Sequence, residues 1–175
     1  WKASAENESV QSSALRAEDP PTILPQSPPP SPEAAQIEAG RYLAIAGNCG
    51  SCHSRAAGEP YAGGVEFKTD FGTLYSTNIT PDASAGIGAW TDQQFARAMR
   101  EGLDAEGKHL YPAFPYTSFT RISDADLSAL FAYLKSLTPS SYSSPENDLR
   151  FPYNQRWLLG LWKWFFFDEL RFTPQ

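Results

Sequence analysis

Cys49, Cys52 and His53 stand as Cys-x-x-Cys-His, a pattern whose residue types and spacing point to one chemistry. Two thiols three positions apart on one tight turn can each add across a vinyl group of the same porphyrin, which makes this the attachment signature of c-type haem. The next residue, His53, then lies under the ring, where an imidazole nitrogen can bind iron. Gly50 and Ser51 are small and let the backbone lie close to the porphyrin edge.

Rival chemistries fit less well. A structural zinc site needs four ligands, usually two Cys or His pairs, and His109 is the one Cys or His left in the chain. A thioredoxin-like redox pair has no use for His53 and sits beside a βαβ pattern, which the flanks lack. A disulfide between residues three apart closes a very small loop and stabilises little.

The 175 residues suffice for one domain with a real core plus tails. A hydrophobic share of 41% with 19% charged residues is that of a water-soluble globular chain, and fifteen prolines with twelve glycines imply much loop. The net charge of −6 argues against nucleic acid, which asks for clustered Lys and Arg, and permits a partner with a basic patch. Both cysteines belong to the one motif, so no disulfide framework remains. Haem attachment of this kind occurs outside the bacterial cytoplasmic membrane, which predicts a periplasmic location. The chain starts at Trp1 and no apolar run reaches the ~18 residues that span a bilayer; a signal or anchor ahead of Trp1 is compatible with this.

The elements that must position the motif can be read in order. Residues 1–31 are polar and then proline-rich, with seven prolines between positions 20 and 32, and read as a polyproline-II arm or linker. Ser31-Pro32-Glu33 starts a helix, with Ser as N-cap and Pro at the first helical position. That helix carries Ala35, Ile37, Tyr42, Leu43 and Ala46 on an apolar face, ends at Gly47 and delivers the chain to Cys49. Residues 54–90 lack helical period and read as a loop wrapped around the porphyrin, with strand-like pieces at 64–67 and 73–76. Thr91-Asp92-Gln93-Gln94 is a capping box for a helix that runs to Glu101 and stops at Gly102. After a loop over 102–121, Ser123-Asp124-Ala125-Asp126 opens a third helix, in which Leu127, Leu130, Phe131, Leu134 and Leu137 repeat with helical period.

The expected organisation is an arm over 1–31, a single-haem domain over 32–138, and a linker with an aromatic tail over 139–175. Residues 157–167 read Trp-Leu-Leu-Gly-Leu-Trp-Lys-Trp-Phe-Phe-Phe. This is too short to span a membrane, and it suits either packing over the domain's own core or docking to a partner subunit or membrane surface.

Between residue 40 and about 138 the sequence resembles the cytochrome c subunits of bacterial membrane-bound dehydrogenases: those of quinoprotein alcohol dehydrogenases, gluconate dehydrogenases and molybdenum-dependent aldehyde or isoquinoline-type oxidoreductases. The resemblance is carried by Gly40-Arg41-Tyr42-Leu43, by Asn48 through His53, and by the run from Phe71 to Pro81. It continues in Gly86-Ile87-Gly88-Ala89-Trp90-Thr91, in Leu110-Tyr111-Pro112-Ala113-Phe114-Pro115-Tyr116 and in Ala129-Leu130-Phe131-Ala132-Tyr133-Leu134. Phe151-Pro152-Tyr153-Asn154-Gln155-Arg156 is similar to the segment that follows a haem domain there. The resemblance implies a mostly α, class I-like cytochrome c domain with long haem-wrapping loops and extended tails. It also implies electron transfer from a dehydrogenase catalytic subunit to a downstream acceptor: quinone, another cytochrome or a terminal oxidase. Many relatives carry three haem domains; with one motif, this chain is a single-haem member or a piece of a longer chain. Where relatives read Tyr-Pro-Ala-Met-Pro-Tyr, with Met as sixth iron ligand, Phe114 stands here and cannot bind iron.

The sixth ligand is therefore the open question. Met99, the one methionine, is the first candidate, since a thioether opposite His suits an electron carrier. Gap-filling in the core is its ordinary alternative. His109, just before Leu110-Tyr111-Pro112, is the second candidate, and a vacant or water-bound site the third. A closed iron means an electron-transfer module. An open one means a gas- or peroxide-binding sensor or enzyme, and a purely structural haem would mark an assembly subunit. Trp90, Tyr111 and Phe114 are expected to wall the haem pocket, with core packing as the competing role. Asn78 is expected to bond a propionate or to support a turn.

Overall fold

The computed structural model describes residues 30–168, so nearly all of the proline-rich arm lies outside it. The fold is mostly α. Helix α1, Pro32–Ala46, begins where its residues dictate: Ser31 is extended, and its hydroxyl accepts from the Ala34 amide at 3.2 Å. Gly47 follows the helix in right-handed backbone, and the reversal falls at Asn48, whose φ is 55°. Asn48 leads directly into α2, Cys49–His53, so the whole motif forms one helical turn.

A loop and hairpin come next. Strands β1, Glu66–Thr69, and β2, Gly72–Tyr75, pair antiparallel with Phe67 opposite Leu74. The first strand begins later than the periodicity suggested because Gly63 and Gly64 both have positive φ. The Thr69 hydroxyl, which donates to the Gly72 carbonyl at 2.7 Å and accepts from the Phe71 amide at 3.1 Å, closes the turn.

Helix α3, Asp92–Glu101, carries the full capping box between Thr91 and Gln94 and ends at Gly102 in left-handed backbone. The stretch read as loop contains a short helix α4, Tyr116–Phe119, nucleated by the fully buried Tyr116. Helix α5, Asp124–Ser136, is capped by Ser123.

The core joins these helices. Ala44, Ile87, Phe95, Met99, Leu127, Leu130, Phe131 and Leu134 form one buried cluster, and Phe95 stacks on Phe131 with centroids 4.6 Å apart. Burying the Ile, Leu, Met and Phe side chains of this cluster contributes about 1.5–3 kcal/mol each. Helix α1 lies so close to α5 that a Cβ at Gly40 would fall 1.9 Å from the Ala129 carbonyl oxygen; only glycine fits there.

Residues 139–150, read as a linker, lie against the domain. Ser140 is 3% exposed, its amide donates to the Thr80 hydroxyl at 3.0 Å, and β3, Asp148–Leu149, adds to the free edge of β2. Helix α6, Leu158–Phe166, follows. No helix of the described residues is long and apolar enough to cross a membrane.

Candidate functional site

A cavity of about 600 Å3 opens between α2, α3, the hairpin and the loop ahead of α4. Cys49, Cys52 and His53 line it from α2, Met99 from α3, and Asn78, Trp90, Tyr111 and Phe114 from the loops. The remaining wall is largely aliphatic and aromatic, including Leu74, Ile79, Ile87, Phe95, Phe119 and Leu130. A flat, mostly apolar ring with a metal at its centre needs such a space: volume, apolar walls, and few polar groups at set places.

His53 is held in a form suited to a metal. Its Nδ1 lies 2.6 Å from the Thr77 carbonyl oxygen. A carbonyl can only accept, so Nδ1 carries the proton and Nε2 keeps its lone pair. Burial pushes the imidazole below its ordinary pKa and favours the neutral ring, outweighing the opposing pull of the Thr77 carbonyl. The carbonyl is brought there by a tight backbone contact. Gly63 donates from its amide to the His53 carbonyl at 2.7 Å, has φ of 75°, and packs where a Cβ would be 2.4 Å from the Thr77 oxygen. Thus His53, Gly63 and Thr77 are locked together through backbone groups.

The two cysteines are free thiols, both half-buried. Burial pushes the Cys49 thiol up, the reverse of the depressed pKa that a redox-active or nucleophilic thiol requires. Among the described residues no group of three or more His, Cys, Asp or Glu side chains is placed to hold a metal ion by itself. The residues present fit a covalently held porphyrin: two thiols and one neutral imidazole on a single turn, facing an apolar cavity.

Met99 is 6% exposed and belongs at once to the core cluster and to the cavity wall. Phe114 lines the same cavity and stacks on Phe119, with centroids 5.8 Å apart. His109 is not among the cavity residues. Its ring faces α6, where a Cβ on Gly160 would be 2.7 Å from Nε2, and its buried Nδ1 has no partner among the described residues. The Tyr111 hydroxyl donates to the Tyr153 carbonyl at 3.0 Å, joining the cavity wall to the segment before α6.

Asn78 lines the cavity while its side chain serves the loop behind. The amide donates to the Ser140 and Tyr142 carbonyls at 2.8 and 3.0 Å, and its oxygen accepts from the Thr80 amide and hydroxyl at 2.9 and 2.7 Å. Both amide hydrogens are thereby committed to turn and loop support, leaving none for a propionate.

The sequence reading missed two contributors. The Thr77 carbonyl is a backbone group, and the paired glycines at 63 and 64 were its one outward sign. Arg156 lines the cavity from outside the expected domain; its Nε donates to the His109 carbonyl at 2.7 Å and its Nη2 to Asp104 at 2.9 Å.

The aromatic tail divides between two environments. On its inner side, the Lys163 ammonium donates to the Gly102 carbonyl at 2.8 Å and sits 4.7 Å from the Tyr116 ring centroid, and Phe167 meets Tyr116 edge to face. On its outer side, Trp164, Phe165 and Phe166 are 77%, 67% and 74% exposed.

Comparison with known proteins places this architecture. The family model described as Cytochrome c matches residues 37–138. A nicotinate dehydrogenase subunit of Pseudomonas putida is 52% identical over 154 residues, which cover 87% of this chain and 13% of that protein. The cytochrome c subunit of alcohol dehydrogenase (quinone) from Gluconacetobacter polyoxogenes is 41% identical over 155 residues, covering 87% and 33%. The gluconate 2-dehydrogenase cytochrome c subunit of Pantoea cypripedii is 42% identical over 142 residues, covering 80% and 32%. The chain thus spans 13–33% of the length of these relatives.

Proposed function

The chain belongs to the cytochrome c family, and from that premise we propose that it passes single electrons from a dehydrogenase catalytic subunit to a downstream acceptor, which is a quinone, another cytochrome or a terminal oxidase. Family membership implies haem c held through Cys49 and Cys52, and bound haem iron supplies a one-electron couple. His53 would hold the iron through the Nε2 that its bond to Thr77 leaves uncommitted. Met99 would supply the second iron-binding side chain: it shares the cavity with His53, whereas the His109 ring lies against α6. Trp90, Tyr111 and Phe114 exclude water from the ring, and Asn78 shapes the wall by fastening the loop behind it. One haem is held by this chain.

The observation that carries the reading is the apolar cavity bearing two thiols and a neutral, backbone-anchored imidazole on one helical turn. The partner is suggested by the names of relatives as different as nicotinate, alcohol and gluconate dehydrogenases, which have an electron-accepting need in common. The outer face of α6, with Trp164, Phe165 and Phe166, supplies a docking surface for a partner subunit or a membrane surface. The site of action is the periplasm, at the outer face of the cytoplasmic membrane. Stopped-flow reduction of the haem-loaded chain by a candidate dehydrogenase with its substrate tests the proposal. A rate well above that of an unrelated c-type protein is expected, and a rate no higher counts against it. Rapid carbon monoxide binding to the reduced chain would replace this reading with an open sixth site and a gas- or peroxide-binding role.

A further inference from the structure

A second hollow of about 380 Å3 adjoins the cavity, and Tyr75, Thr77, Tyr111, Asn147 and Arg156 line both. Its donors are only partly used. Asn147 accepts from the Tyr75 amide at 2.9 Å through Oδ1, and its Nδ2 makes no hydrogen bond among the described residues. The Ser144 hydroxyl is buried without a partner among those residues. Arg156 uses Nε on the His109 carbonyl and Nη2 on Asp104, which leaves Nη1 directed at no protein acceptor among them. Two acids are close. Asp104 is satisfied by the Glu106 and Lys108 amides and by Arg156 itself, and Glu146 lines the outer hollow.

A porphyrin of the haem type is apolar over its macrocycle and carries two carboxylates on one edge. An apolar cavity with an adjoining pocket of unfilled donors matches that division. A half-buried carboxylate is costly without charge-assisted bonds, and guanidinium is the group that meets it best. Building on the haem reading above, we infer that the segment from Ser144 to Arg156 completes the haem site by holding a propionate between Arg156 Nη1, Ser144 Oγ and Asn147 Nδ2. Every one of these residues lies beyond the matched segment 37–138. The tail is then part of the cofactor site as well as a surface that follows it.

The test uses the haem-loaded chain and its variants Arg156→Leu, Arg156→Lys and Ser144→Ala, with haem content measured as pyridine haemochrome. Resonance Raman detection of the propionate bending band is the deciding readout. Potentiometric titration accompanies it, because freeing Asp104 would by itself lower the midpoint potential. Arg156→Leu is expected to move the band and lower the potential at full haem content. Arg156→Lys keeps most of the potential and still moves the band, and Ser144→Ala moves the band alone. An unmoved band in Arg156→Leu at full haem content overturns the inference. If Arg156→Leu takes up no haem, Arg156→Lys and Ser144→Ala decide: a moved band in either supports the assignment, and unmoved bands in both overturn it. A parent chain without covalent haem overturns the reading of the cavity itself, a failure the haemochrome assay separates from the others.

Discussion

The Nδ1 of His53 and the carbonyl oxygen of Thr77 lie 2.6 Å apart, joining residues 24 positions apart in the chain. This bond selects the imidazole tautomer and fixes the plane of the ring. It depends on Gly63, since any Cβ there would press on the Thr77 carbonyl.

Gly63→Ala should therefore damage the site without altering any side chain that faces the cavity. The positive φ and the 2.4 Å approach to Thr77 lead to a loss of about 1–3 kcal/mol in denaturant unfolding of the haem-loaded protein. Acid titration of the spectrum should also show His53 released from iron at higher pH than in the parent. Unchanged stability together with an unchanged acid transition would show that the backbone lock is dispensable.

Asn78→Ala removes an amide that serves four backbone and hydroxyl groups, among them the carbonyls of Ser140 and Tyr142. Leaving such groups unpaired in a buried place costs about 2–3 kcal/mol. Residues 139–147 should become sensitive to protease in this variant while haem content stays at the parent level. A protease pattern identical to the parent's would contradict the fastening role.

How far these relationships can be read from the chain depends on their range. The caps at Ser31, Thr91 with Gln94, and Ser123 lie within three residues of the amides they serve, so local composition revealed them. The motif at Cys49–His53 is legible because its chemistry depends on local spacing. Thr77 was invisible because its contribution is a carbonyl delivered by a loop. Arg156 was read only as the end of a segment similar to the one that follows a haem domain, since nothing local says that a residue there returns to the cavity. β3 is a two-residue strand whose pairing with β2 depends on tertiary packing, so no periodicity marks it.

The contact of His109 with α6 makes the tail sensitive to acid. Burial, then Lys163 and Arg156, hold this histidine below its ordinary pKa, and Asp104 opposes them weakly. An unfolded or undocked His109 titrates near about 6.5. Above that value both states are neutral and docking of α6 is at full strength. As pH falls below it, the undocked state takes the proton first, so docking weakens down to the docked pKa. Tryptophan fluorescence of the haem-loaded protein should report a more exposed tail on acidification, and His109→Gln should flatten that response. An equal acid response in parent and variant would assign it to another group.

Met99 is the side chain on which the electron-transfer reading turns, because it belongs to both the core and the cavity wall. Met99→Leu nearly conserves volume, so as a packing change it costs less than about 1.5 kcal/mol and spares the fold. The near-infrared spectrum of the oxidised, haem-loaded parent should contain the methionine-to-iron charge-transfer band, and Met99→Leu should lose it while keeping its haem. A band that survives the substitution, or a parent that never shows one, would contradict the closed, His53/Met99-ligated iron proposed here.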